Sequence, residues 1–198
     1  IGPAFDEFKS LPTMNAVAAS ATAMNAVAAS DTAMNAVVAS AAAMNAVAAS
    51  ATAMNIALKS SIARNAMAAS ATARSAIISN LSTLNDTTKF SETATHVGCQ
   101  RNGTNTYTAP ANSLLLITKF CADDVHREGG GRGTVIITAV NGNYQIMNRS
   151  DIIASYSDTT TVDLNDISIG DFTVYRNLSG ENPWAVRHEV TFIIYTAK

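Results

Sequence analysis

From Thr13 to Phe90 the chain contains no glycine and no proline, so no residue type in that stretch forces a backbone break. The same stretch is nearly free of aromatics and charge. No aromatic residue occurs from Lys9 to Lys89, whereas ten of the twelve aromatics lie from Phe90 onward. Between Lys9 and Lys59 the only ionisable side chain is Asp31. A net charge of −2 over 198 residues leaves no electrostatic footprint for nucleic acid. No run reaches the roughly 18 uninterrupted apolar residues that cross a bilayer, because Asn and Ser interrupt every ten residues. No basic n-region precedes an apolar h-region. The chain starts at Ile1 without Met, which suggests a fragment or processed product.

Catalytic and metal motifs are equally scarce. The histidines are His96, His126 and His188, and no His-x-x-x-His, Cys-x-x-Cys or Gly-x-Ser-x-Gly spacing exists. Asp123, Asp124, Asp163 and Asp166 form a glycosidase pair only if the fold brings two of them together; turn and surface roles are the simpler reading. The expectation is a binding and structural protein rather than an enzyme, with no cofactor and no metal.

What the first half does contain is a ten-residue repeat. Met14-Asn15-Ala16-Val17-Ala18-Ala19-Ser20 returns unchanged at Met24, the repeat returns again at Met34-Asn35, Met44-Asn45 and Met54-Asn55, and it appears in altered form at Arg64 and Arg74. A fixed period of this kind marks an object in which one repeat cannot bury a face alone. Alanine is the best helix former and a poor strand residue. The reading is one long helix from about Thr13 to Leu84, on the order of 105 Å at 1.5 Å per residue. Three apolar layers per ten residues make about 3.3 residues per turn, an overwound period that implies a left-handed supercoil. Three parallel copies are preferred, with Met14, Val17, Met24, Val27, Met34, Val37, Met44, Val47, Met54, Arg64, Met67, Arg74, Ile77, Leu81 and Leu84 on the trimer axis. A monomeric Ala-rich helical bundle, or a low-complexity segment without order, is the competing arrangement. Arg64 and Arg74 fall on the apolar stripe, where three like charges would meet. Snorkelling of both side chains is expected, an axial anion such as chloride or phosphate is the alternative, and replacing both by Met is expected to raise the melting temperature.

From Phe90 the pattern becomes β. Ser113–Phe120 and Thr134–Val140 read as buried strands, Asn141-Gly142 as a hairpin turn, and further strands fall at Tyr144–Met147, Ile152-Ile153, Thr160–Leu164, Phe172–Tyr175 and Val190–Tyr195. Seven or eight short strands without a helical period predict an antiparallel sandwich or jelly roll. The fold class expected is thus segregated α+β. Residues 1–12 form a cap or the end of a longer shaft, residues 13–89 a helical coiled-coil shaft, and residues 90–198 a β-sandwich head.

This combination resembles the fibres and needles of tailed bacteriophages. Tyr107-Thr-Ala-Pro-Ala-Asn-Ser-Leu-Leu-Leu-Ile117 looks like the segment that opens the hydrophobic strand of many virion knob and fibre-tip domains, with Asn112-Ser113 in place of the usual Asp-Gly. Val190–Tyr195 resembles the last strand of such knobs. The resemblance implies a homotrimer in the virion, assembled in the host cytoplasm. It also implies a tip that meets a host surface polysaccharide or outer-membrane protein, and an N-terminus that meets other tail proteins. A tail needle or plug is the alternative, and a glycan-hydrolysing tip a further one. In a reducing cytoplasm Cys99 and Cys121 are expected as free, buried thiols. Candidate receptor-binding residues are Arg127 and Arg132 around the Gly129-Gly130-Gly131 run, Tyr144, and Asn182 and Trp184. A solvated hairpin connection is the plainer alternative for the glycine-run segment, and a Trp packed at the sandwich end or the trimer seam for Trp184.

Overall fold

The structure, a computed structural model, describes residues 13–99, 103–124, 131–154, 160–180 and 186–198. It divides into two compact units. One holds Ile1–Glu92 with Pro110–Leu114 and Tyr195–Lys198; the other holds Thr93–Ala109 and Leu115–Ile194.

The expected long helix and its coiled coil are absent. Instead the repeats form seven short helices: α1 (Met14–Ala19), α2 (Ala21–Ala28), α3 (Asp31–Ala39), α4 (Ala41–Ala48), α5 (Ala51–Lys59), α6 (Ser61–Ala69) and α7 (Ala71–Ser79). A 3₁₀ turn, Leu81–Asn85, follows. Serine is the cause of the breaks. Ser20, Ser30, Ser40, Ser50, Ser60 and Ser70 all leave the helical region, with φ between −88° and −120° and ψ between 113° and 123°. The hydroxyl of each accepts the backbone N–H three residues on, from Ala23 through Ala73, at 3.2–3.3 Å. Its own N–H donates three residues back, as from Ser20 to the Val17 carbonyl at 3.1 Å. One serine therefore ends one helix and N-caps the next, and no Gly or Pro is needed.

The apolar period also has a different origin from overwinding. Within α2 the buried residues are Ala23, Met24, Val27 and Ala28, one face of an ordinary helix. The tenth residue is spent on the cap, which resets the phase.

Helix α4 packs on α1, α5 on α2, α6 on α3 and α7 on α4, so the chain coils with three helices per turn. Successive helices α4 and α5 meet at 98°. Met24, Met34, Met44, Met54, Val27, Val37, Val47, Met67 and Ile77 are buried inside this solenoid, as is Leu84 beyond it, while Met14, Arg64, Arg74 and Leu81 are half-buried. Most of the residues expected on a trimer axis thus fill the interior of their own chain, Val17 included. Stacked coils are joined by the same serines: the hydroxyls of Ser50, Ser60 and Ser70 donate to the carbonyls of Ala18, Ala28 and Val38 at 2.7, 2.5 and 2.9 Å. Those carbonyls lie in helix last turns, where the helix itself supplies no donor.

Among the described residues eight strands follow: β1 (Phe90–Cys99), β2 (Gly103–Tyr107), β3 (Ser113–Asp124), β4 (Gly131–Ala139), β5 (Tyr144–Ala154), β6 (Thr160–Ser168), β7 (Phe172–Gly180) and β8 (Val186–Ala197). They make two four-stranded antiparallel sheets of order β1-β8-β3-β6 and β2-β7-β4-β5. Strand one neighbours eight, two neighbours seven, three neighbours six and four neighbours five. That is a long hairpin rolled into two sheets, the jelly-roll order. The core comes from alternate residues: Leu115, Ile117 and Phe120 in β3, Val135 and Ile137 in β4, Phe172 and Val174 in β7, Val190, Phe192 and Ile194 in β8. A register shift between Ile117 and Lys119 carries the alternation on to Phe120. Tyr107, Phe172 and Phe192 pack as a ring trio with centroids 4.7–5.3 Å apart. At the β4–β5 turn Gly142 has φ 83°, and Asn141 donates to the Ile169 carbonyl at 3.0 Å. Gly170 lies against that side chain, where a Cβ would meet Asn141 Nδ2 at 2.4 Å.

Candidate functional site

The structure spreads the sequence-derived candidates apart in kind. Arg127, Asn182 and Trp184 fall outside the described residues. Arg132, in β4, is exposed, and its carbonyl accepts the Ser179 hydroxyl at 3.2 Å. Tyr144 is half-buried and its hydroxyl donates to the Ile167 carbonyl, which commits its polar end to the fold. Cys121 is a free, half-buried thiol that accepts from the Thr161 hydroxyl at 3.9 Å. The side chain of Cys99 lies outside the described residues. His96 is exposed, and Asp166 accepts the N–H of Ile167 at 2.7 Å. Among the described residues no group of three or more His, Cys, Asp or Glu converges on one point.

One placement does bring distant stretches together. The Cα register pairs Gly131 with both Gly180 and Ala154, and Ala122 with Thr160. Gly131, Ala154 and Gly180, which adjoin residues 125–130, 155–159 and 181–185, are therefore neighbours within one sheet.

Sequence reasoning missed Arg176. It sits in β7 on the inward side with Phe172 and Val174, and it is fully buried. A desolvated guanidinium is tolerated only when its charge is compensated. The flanking alternation Phe172-x-Val174-x-Arg176 marks it as an inward position, and that is the signal available in the sequence.

The two arginines of the repeat have a clear structural use. Arg64 donates to the Leu58 carbonyl at 2.5 Å and to Asn112 Oδ1 at 3.0 Å, and Arg74 donates to the Ala68 carbonyl at 2.7 Å. Leu58 and Ala68 occupy the repeat position whose carbonyl, at Ala18, Ala28 and Val38, receives a serine from the next coil. The repeats stop before serines could reach Leu58 and Ala68, and the arginines supply the donors. They cap the last coil, as terminal repeats of solenoids must. Asn112, whose φ of 58° is one that Asn tolerates, is held by the Ala197 N–H on its carbonyl at 3.1 Å.

The helical unit also has grooves between stacked helices. One, of about 440 Å³ between α4 and α7, is lined by Ala41, Asn45, Thr72 and Ser75 among others and by no charged group. On the α2–α5 face two adjoining hollows of about 290 and 220 Å³ share Asn25, Ile56 and Lys59. Among the described residues no single helix is long and apolar enough to cross a membrane.

No family model and no curated protein matches this chain. Among solved structures it is similar to a virus-like particle of the extra small virus of the giant freshwater prawn Macrobrachium rosenbergii, at 10% identity and TM-score 0.28, over 55% of this chain and 80% of that one. It is also similar to a structure of the Gx strain of infectious bursal disease virus, at 7% identity and TM-score 0.22, over 53% of this chain and 32% of that one.

Proposed function

We propose that this chain is a virion protein whose β unit attaches the particle to a host cell, in the manner of a tailed-phage fibre tip, and that it binds rather than catalyses. The observation that carries the reading is the jelly-roll strand order. Rolled hairpins of this kind hold their core with alternate strand residues and leave the strand connections free to vary in sequence. Arg127 and Trp184, in the connections before β4 and before β8, supply a cation and an indole of the kind that a surface receptor engages. Three copies, the number expected of such fibres, would present weak sites together and raise effective affinity without new contacts.

The test is binding of the fluorescently labelled full chain to a panel of intact bacterial cells and to their isolated surface polysaccharides. Light scattering would give its mass in the same buffer. Binding to one group of strains, lost in Arg127→Ala and Trp184→Ala at unchanged melting temperature, is the expected result. Binding to no strain, or equal binding by both variants, would overturn the reading.

A further inference from the structure

The repeat is its own control. Its sixth position is alanine in six of the seven helices, at Ala16, Ala26, Ala36, Ala46, Ala66 and Ala76, and Ile56 in α5. Its ninth is Ala19, Ala29, Ala39, Ala49 and Ala69, then Ser79, but Lys59 in α5. Packing of the coil cannot be the reason for either change, because six other repeats pack with small residues there. Ile56 and Lys59 do share one feature: both line both hollows of the α2–α5 face.

The rest of the lining fits the same chemistry. Asn25, Thr52 and Asn55 bring amide and hydroxyl groups, Ala21 and Ile56 an apolar floor, and Lys59 and Lys89 two ammonium groups. No Asp or Glu lines either hollow. Lys59 is exposed, with no ion pair among the described residues. Lys89 has Asp86 nearby, whose carboxyl is held below its usual range mainly by the Thr88 hydroxyl and N–H and further by Lys89 itself. Asn55 is the one repeat asparagine that is buried, at 8% exposure. Its Nδ2 donates to the carbonyls of Lys89 at 2.6 Å and Lys198 at 3.3 Å, which fixes the side chain and leaves Oδ1 as its acceptor. A held acceptor, two further polar groups, an aliphatic floor and two ammonium groups, of which Lys59 has no ion pair among the described residues, match a sugar ring carrying a negative charge.

We infer that the α2–α5 face is a second binding site, for an acidic saccharide unit bearing a carboxylate or a phosphate. The site uses no residue of the β unit, so it stands or falls separately from the attachment reading above. The hollow is shallow, and a single sugar should bind with Kd on the order of 1 mM.

The experiment is ligand-observed and protein-observed NMR on the full chain with glucuronate, glucose 6-phosphate, glucose and inorganic phosphate. Glucuronate or glucose 6-phosphate should shift the Asn25, Thr52 and Lys59 amides, glucose should bind at least tenfold more weakly, and added salt should weaken the acidic sugars. Which of the two binds more tightly identifies the carboxylate or the phosphate source. Lys59→Gln should weaken binding about tenfold at unchanged melting temperature, the loss of one charge-assisted hydrogen bond. Ile56→Ala should weaken it as well, while Asn45→Ala, on the α4–α7 face, should not. Absence of binding by both acidic sugars would overturn the inference. So would equal binding by Lys59→Gln, or inorganic phosphate binding as tightly as the sugars. Should Ile56→Ala fail to fold, Lys59→Gln alone decides.

Discussion

The two units solve the same problem of burying apolar surface over different sequence distances. In the helical unit each helix touches its neighbours in sequence and the helix three repeats away, and its serine bonds span 32 residues. In the β unit the partners are remote: Gly103 faces Arg176, and the Thr118 hydroxyl donates to the Thr191 carbonyl. A stack of repeats has nearest-neighbour stability and loses it locally, whereas a rolled hairpin gains its order only when its ends meet. The helical unit therefore tolerates repetition, and the β unit forbids it, since eight strands must be told apart by their sequences.

The comparison can be broken most forcefully in the two cores. Phe172→Ala should cost about 4 kcal/mol and Met44→Ala about 3 kcal/mol in denaturant titrations. Hydrogen exchange should separate the cases: loosening confined to α1, α4 and α7 for Met44→Ala, and spread over both sheets for Phe172→Ala. Loosening that spreads through the whole solenoid would contradict nearest-neighbour stability. Arg176→Ala should follow at about 3 kcal/mol, because it removes a buried charge and opens the space it filled. A neutral effect would mean that the guanidinium is not held in the core.

Smaller changes sharpen the role of the serines. Ser60→Ala should cost about 2 kcal/mol, a lost N-cap together with a carbonyl of Ala28 left without its donor. Ser30→Ala, which removes the cap alone, should cost about 1 kcal/mol. Equal losses would mean that the bonds between coils carry no stability. Arg64→Met should lower the melting temperature, at about 1 kcal/mol, by stripping the donors from Leu58 and Asn112. The apolar-stripe argument alone predicts a rise, so the sign of this change discriminates between a coiled-coil seam and a capped solenoid. The smallest effect is reserved for Tyr144→Phe, about 0.5 kcal/mol of stability from the bond to Ile167, with no change in cell binding.

Much of this was legible in the residues. The period of ten and the helical preference of Ala and Met correspond to the repeated helices, and β1 begins at Phe90. The apolar runs of Ser113–Phe120 and Thr134–Val140 lie within β3 and β4. The serines were legible too, because an N-cap is a bond between residues three apart and needs no knowledge of the rest of the fold. Reading them as ordinary polar helix positions joined seven helices into one. An absence of Gly and Pro removes two ways of ending a helix, and serine is a third.

What no local pattern contains is which surfaces meet. The same apolar stripe serves a seam between chains or the inside of one coil, and only the turn at each serine, which sets three helices to a coil, selects the second. The donors of Arg64 matter because the repeats end and a carbonyl at Leu58 is left open, a fact about the neighbouring coil rather than about Arg64. In the β unit the alternation shows which residues face inward, but strand order depends on contacts across a hundred residues. By itself, then, the sequence determined where helices and strands form and which side of each is apolar, since those follow from interactions within a few residues. The coil, the jelly-roll order and the meeting of Asn25 and Lys89 with Ile56 and Lys59 in one groove were decided by tertiary structure, because each depends on packing between parts of the chain that carry no information about one another until they touch.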